Sequence, residues 1–214
     1  MQYSELQKLN ETILGTQEPG EKGRYRPVIN KLLPTQKFLI ISSDPSSDTN
    51  KERDLLDKHS DFEERIIALF FNGRDGSEQV AVIRKDYPKY KQLFLNNFYW
   101  THFSKTYAAG NPGRFWAEKF LLKEIELFEP KGIIIFGGIA ADFLLGKGNL
   151  RSRVNRVIDW KGIPLICTLH PSKDWNLRRR DEFSFYPTWE LIRSLCHFDS
   201  ATEVNIAESR PEQL

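Results

Sequence analysis

The chain holds only two cysteines in 214 residues, Cys167 and Cys196. Two thiols cannot build a disulfide framework, a four-cysteine metal site or an iron–sulfur site. Cys167 sits inside an apolar run, as a core residue does. An excess of one charge is lacking too: 31 Lys and Arg stand against 29 Asp and Glu, a net of +2. There is no global polycation, so any contact with nucleic acid must use a local basic stripe. No apolar stretch approaches the ~20 residues that cross a bilayer. The opening segment MQYSELQKLNETILG has no basic stretch followed by an apolar one, so no signal peptide is expected. These absences predict a soluble, cytoplasmic chain with no membrane partner and no cysteine-held metal or cluster cofactor.

What is present is an alternation of apolar strands and amphipathic helices. Residues 3–15 carry Leu6, Leu9, Ile13 and Leu14 at helical spacing. A loop rich in glycine and proline follows, made basic by Lys22, Arg24 and Arg26. Residues 37–42 read as a strand. Residues 51–72 read as a helix, closed by the turn sequence Asn72-Gly73-Arg74-Asp75-Gly76. Residues 77–95 have no clear period beyond a helical turn near 89–95. Residues 95–103 form an aromatic-rich strand, 114–128 a helix with Ala117, Leu121, Ile125 and Phe128 aligned, and 131–136 a third strand. Its run Gly-Ile-Ile-Ile-Phe is typical of a strand covered on both faces. A short helix runs from Gly138 to Leu145. Residues 146–161 are basic and irregular, 163–169 a fourth strand, and 187–197 a closing helix. The expected fold is α/β: three layers, α/β/α, around a central four-stranded parallel sheet. Residues 1–198 form one domain and 199–214 a polar tail.

Two strands end beside titratable groups. Phe38-Leu39-Ile40-Ile41-Ser42-Ser43-Asp44-Pro45 stops at Asp44, and Leu165-Ile166-Cys167-Thr168-Leu169-His170-Pro171-Ser172 stops at His170. The carboxyl ends of strands in an open parallel sheet are where ligands bind, so Asp44 and His170 would face one crevice. An acid and an imidazole there suit hydrolytic or proton-transfer chemistry.

The order of four blocks resembles the uracil-DNA glycosylase superfamily. Ile40-Ile41-Ser42-Ser43-Asp44-Pro45 is similar to the motif that carries the catalytic aspartate. Phe98-Tyr99-Trp100-Thr101-His102-Phe103-Ser104-Lys105 is similar to the strand that ends in Lys in small thermophilic-type members. Phe115 through Glu129-Pro130-Lys131 to Phe136-Gly137-Gly138-Ile139-Ala140-Ala141 is similar to the family's helix, strand and Gly-x-x-Ala-Ala turn. Leu169-His170-Pro171-Ser172 is similar to the second catalytic motif. The resemblance covers residues 37 to about 180. It implies a monomeric, metal-independent enzyme that flips a base, uracil or a relative, out of DNA and hydrolyses its N-glycosidic bond in base excision repair. Departures accompany it. Ser46 stands where classical members place a thymine-excluding Tyr, His102 where an Asn reads the pyrimidine edge, and Lys173 where Pro follows His-Pro-Ser. These changes imply relaxed or altered base choice.

Each site residue has a plainer alternative. Asp44 fits the carboxylate that stabilises a cation-like sugar and orients water, and fits equally an N-cap before Pro45. Asp48 is the more natural cap. His170 fits a neutral donor to the departing base oxygen, or a turn histidine held by backbone. His102 reads as a base contact or as a packed strand histidine. Ser43, Pro45, Ser46 and Ser172 complete the expected substrate contacts. Lys105 is a candidate phosphate contact or a surface lysine. In Lys173, Trp175, Leu177, Arg178, Arg179 and Arg180, the apolar members read as wedges into the duplex and the basic ones as phosphate anchors; a solvated basic turn is the alternative. Lys147, Arg151, Arg153 and Arg156 would extend the basic surface. Two other functions stay open: a nucleic-acid-binding module that has lost catalysis, and a nucleotide or phosphoester hydrolase on a flavodoxin-like sheet.

Overall fold

Two faces of one buried sheet organise the molecule. The computed structural model describes residues 1–19, 26–45, 59–108, 112–171 and 186–196. In chain order these give α1 (Tyr3–Leu14), β1 (Phe38–Ser42), α2 (Asp61–Asn72), α3 (Ser77–Lys85), α4 (Tyr87–Asn97) and β2 (Phe98–His102). A π-helical turn (Ala117–Leu121) then runs into α5 (Leu122–Phe128), followed by β3 (Gly132–Phe136) and α6 (Gly138–Leu145). A 3-10 turn (Leu150–Ser152), β4 (Ile158–Trp160), β5 (Ile163–Thr168) and α7 (Tyr186–Leu195) complete the order.

The sheet runs β2-β1-β3-β5-β4. The first four strands are mutually parallel, and β4 is antiparallel to β5 at the edge. The fold is therefore α/β as expected, with a mixed five-stranded sheet in place of four strands. The extra strand lies inside the stretch expected to be irregular. It has only three residues, none buried, and Lys161-Gly162 in left-handed backbone turns it back onto β5.

Strand period decides which layer each residue joins. Phe38, Ile40, Phe98, Trp100, Ile134, Phe136 and Ile166 pack against α2, α3, α4 and α7. Leu39, Ile41, Tyr99, Ile133, Ile135, Leu165 and Cys167 pack against α1, α5 and α6. With both faces dry, the strands are near-continuous apolar runs. Residues 77–95, without a clear period, form two helices broken at Asp86, where Pro88 opens α4 near its first turn. The helix expected over 114–128 contains a π turn. That turn serves two surfaces: Trp116 and Phe120 join Ile13, while Leu121, Ile125 and Phe128 join the sheet. Gly73 ends α2 at φ +67, and a side chain there would meet the Glu190 carboxylate at 2.8 Å.

Phe70 is fully buried at the centre of an aromatic group, with ring centroids 4.5 Å from Phe98, 5.0 Å from Trp189 and 5.1 Å from Phe94. We expect Phe70→Ala to cost ~3–5 kcal/mol, since the rings around it cannot collapse into the space. The denaturation midpoint measures this; a loss below ~1 kcal/mol would mean the cluster repacks freely.

Candidate active site

The connection out of β1 leads to β2 on one side, and the connection out of β3 leads to β4 and then β5 on the other. Strand order thus reverses between β1 and β3, and the crevice outside their carboxyl ends is the favoured ligand position of such a sheet. The strands end level there. Ser42 is paired with His102, Ile41 with Ile135 and Phe136 with Thr168. Asp44 lies two residues beyond β1, and His170 two residues beyond β5. Only β3 separates them, about 10 Å at a strand spacing of about 4.8 Å. Both follow the carboxyl ends of parallel strands, but on β1 and β5, which are not neighbours in the sheet.

Asp44 is half-buried and accepts a hydrogen bond from the Ala108 N–H at 3.0 Å. That donor comes from the segment after β2, 64 residues away, not from a local helix. Ser43 accepts from the Ser104 N–H and Ser42 from the Phe103 N–H, so the β1 and β2 exits stay zipped beyond the strands. Gly137, at φ +94, donates its N–H to the Thr168 carbonyl and passes near Ser43; an added Cβ would stand 3.5 Å from Ser43 Oγ. Pro45 is buried.

His170 is half-buried between two aromatic rings. Phe62 lies parallel to it at 2° with centroids 6.1 Å apart, and Phe136 presents an edge contact at 5.9 Å. Phe62 is on the first turn of α2, capped by Ser60, which accepts from the Glu63 N–H. That turn is pinned from outside: Arg84 forks onto Glu64, His59 bonds Glu64 at 2.9 Å, and the Tyr87 hydroxyl donates to Glu63. Sequence reading placed Phe62 only on a helix's apolar side. Its role as a wall beside His170 depends on a 108-residue separation that no local pattern carries.

His102 is 2% exposed, and its Nδ1 has no hydrogen-bond partner. Burial first, then the charges of Lys105 and His170, pull its pKa down to about 3. It is a neutral imidazole at physiological pH. By strand parity it shares the sheet face of Trp100, Phe136 and, beyond β5, His170. A buried polar atom without a protein partner is rare, and this one lies at the strand end that also carries Thr168.

Lys105 corrects an expectation. Its side chain is 0% exposed, so it cannot contact a phosphate at the surface. Its ammonium donates to Glu124 at 2.6 Å, to the His102 carbonyl at 3.0 Å and to Thr101. Burial lowers its pKa while Glu124 pushes it back up. Lysine cannot stay charged in a core without such a counter-ion. Among the basic residues expected to extend a DNA surface, Arg153 is committed to Asp142 at 2.7 Å, and Lys147, Arg151 and Arg156 are exposed.

Ser46, Asp48, Ser172, Lys173, Trp175, Leu177, Arg178, Arg179 and Arg180 lie outside the described residues, as do residues 197–214. Among the described residues no group of three or more His, Cys, Asp and Glu is placed to hold a metal, and no helix is long and apolar enough to cross a membrane. A cleft of about 440 Å³ opens at the opposite end of the strands, lined in part by Gln36, Asn97 and Glu129. Three of its polar side chains are engaged: Gln36 with Leu33, Leu95 and Phe98, Asn97 with Leu93, and Glu129 with the amino terminus. No protein-family model matches this sequence.

Two outcomes follow. Glu124→Gln leaves a buried ammonium without its counter-charge and should cost ~3–5 kcal/mol, whereas Lys105→Met combined with Glu124→Leu should recover much of the loss. Equal losses in the single and double variants would refute the pairing argument. His102 binds a proton in the unfolded chain below about pH 6.5 but resists it when folded down to about pH 3. The unfolded state therefore takes up more protons in that window, and stability falls as pH falls through it, by up to ~1.4 kcal/mol per unit. His102→Asn should flatten this slope in denaturation measured between pH 6.5 and 4; an unchanged slope would show that His102 does not titrate this way.

Proposed function

We propose that this protein is a metal-independent DNA glycosylase that hydrolyses the N-glycosidic bond of a flipped, deaminated or damaged base. The observation that carries the reading is the gathering of Asp44, His102 and His170 at the strand reversal, with His102 neutral and its Nδ1 unpartnered. The ordered motifs around these residues support it through their resemblance to the uracil-DNA glycosylase superfamily.

The division of labour follows from charge. The C1′–N bond breaks with its electron pair leaving on the base. Negative charge grows on a base carbonyl, and in this reading His170 donates to it. Positive charge grows on the sugar, and Asp44 stabilises it and orients water. Water adds to C1′ and loses a proton, and the base leaves as its neutral, protonated form. Phe62 supplies an aromatic wall. His102 meets the base edge as a neutral ring, one donor and one acceptor, in place of an amide. The DNA partner is met by Trp175, Leu177 and Arg178 to Arg180 in this reading, with a few kcal/mol needed to unstack the target.

The test is abasic-site formation on duplex and single-stranded oligonucleotides carrying uracil, thymine mispairs, hypoxanthine or xanthine. We expect cleavage of at least one, and Asp44→Asn should slow it at least ~10²-fold while binding persists. Salt-dependent DNA binding with no cleavage of any substrate would leave a binding module instead.

A further inference from the structure

We propose that Glu18 is a positioning residue for Asp44, acting through Thr106, Trp116 and the Ala108 amide; the role rests on the reading of Asp44 as the reacting carboxylate. Glu18 lies in the loop after α1, far from the sheet in sequence, yet is 5% exposed. One of its oxygens, Oε2, accepts from Thr106 Oγ1 at 2.6 Å and from Trp116 Nε1 at 2.8 Å. Trp116, fully buried at the entry to the π turn, also donates to Thr106 Oγ1 at 3.2 Å. A carboxylate is expensive to bury unless its donors are short and well placed, so this arrangement is a built one.

What it holds is the segment after β2. Up to Ser104 that segment is guided by β1, through the Phe103 and Ser104 amides. Beyond Ser104 the ladder stops. The chain is then turned by Ser104 Oγ donating to the Thr106 carbonyl at 2.9 Å, and by the Val28 N–H donating to the Lys105 carbonyl at 2.8 Å. Thr106 is clamped by Glu18, and two residues later the Ala108 N–H reaches Asp44 Oδ2. Glu18 and Trp116 thus fix the last turn before the donor. A donor fixed in place holds one carboxylate oxygen and with it the side chain's rotamer. Small misplacements of a reacting group are costly in rate.

The experiment compares Glu18→Ala, Glu18→Gln and Trp116→Phe with the wild type. Two readouts are used: hydrogen exchange of the Ala108 amide, and single-turnover cleavage of a uracil-containing oligonucleotide with its binding measured separately. Glu18→Ala should speed Ala108 exchange at least ~10-fold and lower the cleavage rate by a similar factor with binding unchanged. Glu18→Gln, which keeps an accepting oxygen, should restore most of both. Trp116→Phe removes one donor and should give an intermediate effect, and it carries the test if Glu18→Ala does not fold. Unchanged Ala108 exchange in a folded variant overturns the proposal, as does a cleavage loss that appears only in binding. A wild type that cleaves no oligonucleotide overturns the glycosylase reading instead; the amide exchange then decides the brace alone.

Discussion

Both faces of the central sheet are dry, and this constraint shapes everything else. A strand covered by helices on each side accepts a polar side chain along its length only where a packed element supplies its partner, as Asn10 does for Tyr99 and Glu124 for Thr101. Ile40, Ile41, Ile133, Ile134 and Ile135 are all fully buried for that reason. Polar groups collect where the strands stop, at Ser42, His102 and Thr168, and each must there find a partner or a ligand. Ser42 has one, the Trp100 indole N–H at 3.0 Å. His102 Nδ1 and Thr168 Oγ1 have none. His102 Nδ1 and Thr168 Oγ1 thus lie at the same sheet end as the strand reversal.

Most supports of this end come from outside the sheet. Asp44 takes its donor from the segment after β2, His170 its ring contacts from α2 and β3, and His102 its fixed carbonyl from Lys105. Loops would place such groups loosely. Here polar bonds tie these segments down: Thr106 to Glu18 of the loop after α1, Lys105 to Glu124 of α5, and the first turn of α2 to Arg84 of α3 through Glu64. Holding a site with a supporting layer of satisfied hydrogen bonds is what makes its geometry reproducible.

The sequence made the parallel core readable because buried strands leave an uninterrupted apolar signature. The runs at Phe38, Gly132 and Ile163 stand out for that reason, and the two strand-end residues follow from them. The edge strand Ile158–Trp160 left no such signature, being short and half-exposed amid arginines. Helices α3 and α4 were hidden by the break at Asp86 and by their narrow apolar stripes, since few of their residues are buried. Lys105 shows a deeper limit. A lysine after a strand reads as a surface cation, and only the fold brings in Glu124 from 19 residues away. Glu18 is legible still less, because its donors lie 88 and 98 residues along the chain.

A buried ion pair is poor evidence for stability. Its desolvation cost roughly cancels its attraction, and apolar replacements are often at least as stable. The Lys105–Glu124 pair therefore has to be understood by what else it does. The ammonium fills three acceptors, two of them on the last residues of β2, so it locks the backbone that presents His102. It also sets a positive charge near an imidazole already short of water, which keeps that ring neutral. Neither task can be done by a methionine of the same length. An amide at position 102 would need no such neighbour, since it takes up no proton in this pH range. The lysine beneath a histidine is thus a coherent pair of choices: the ring brings a titratable edge to the site, and the buried charge removes its titration from the physiological range.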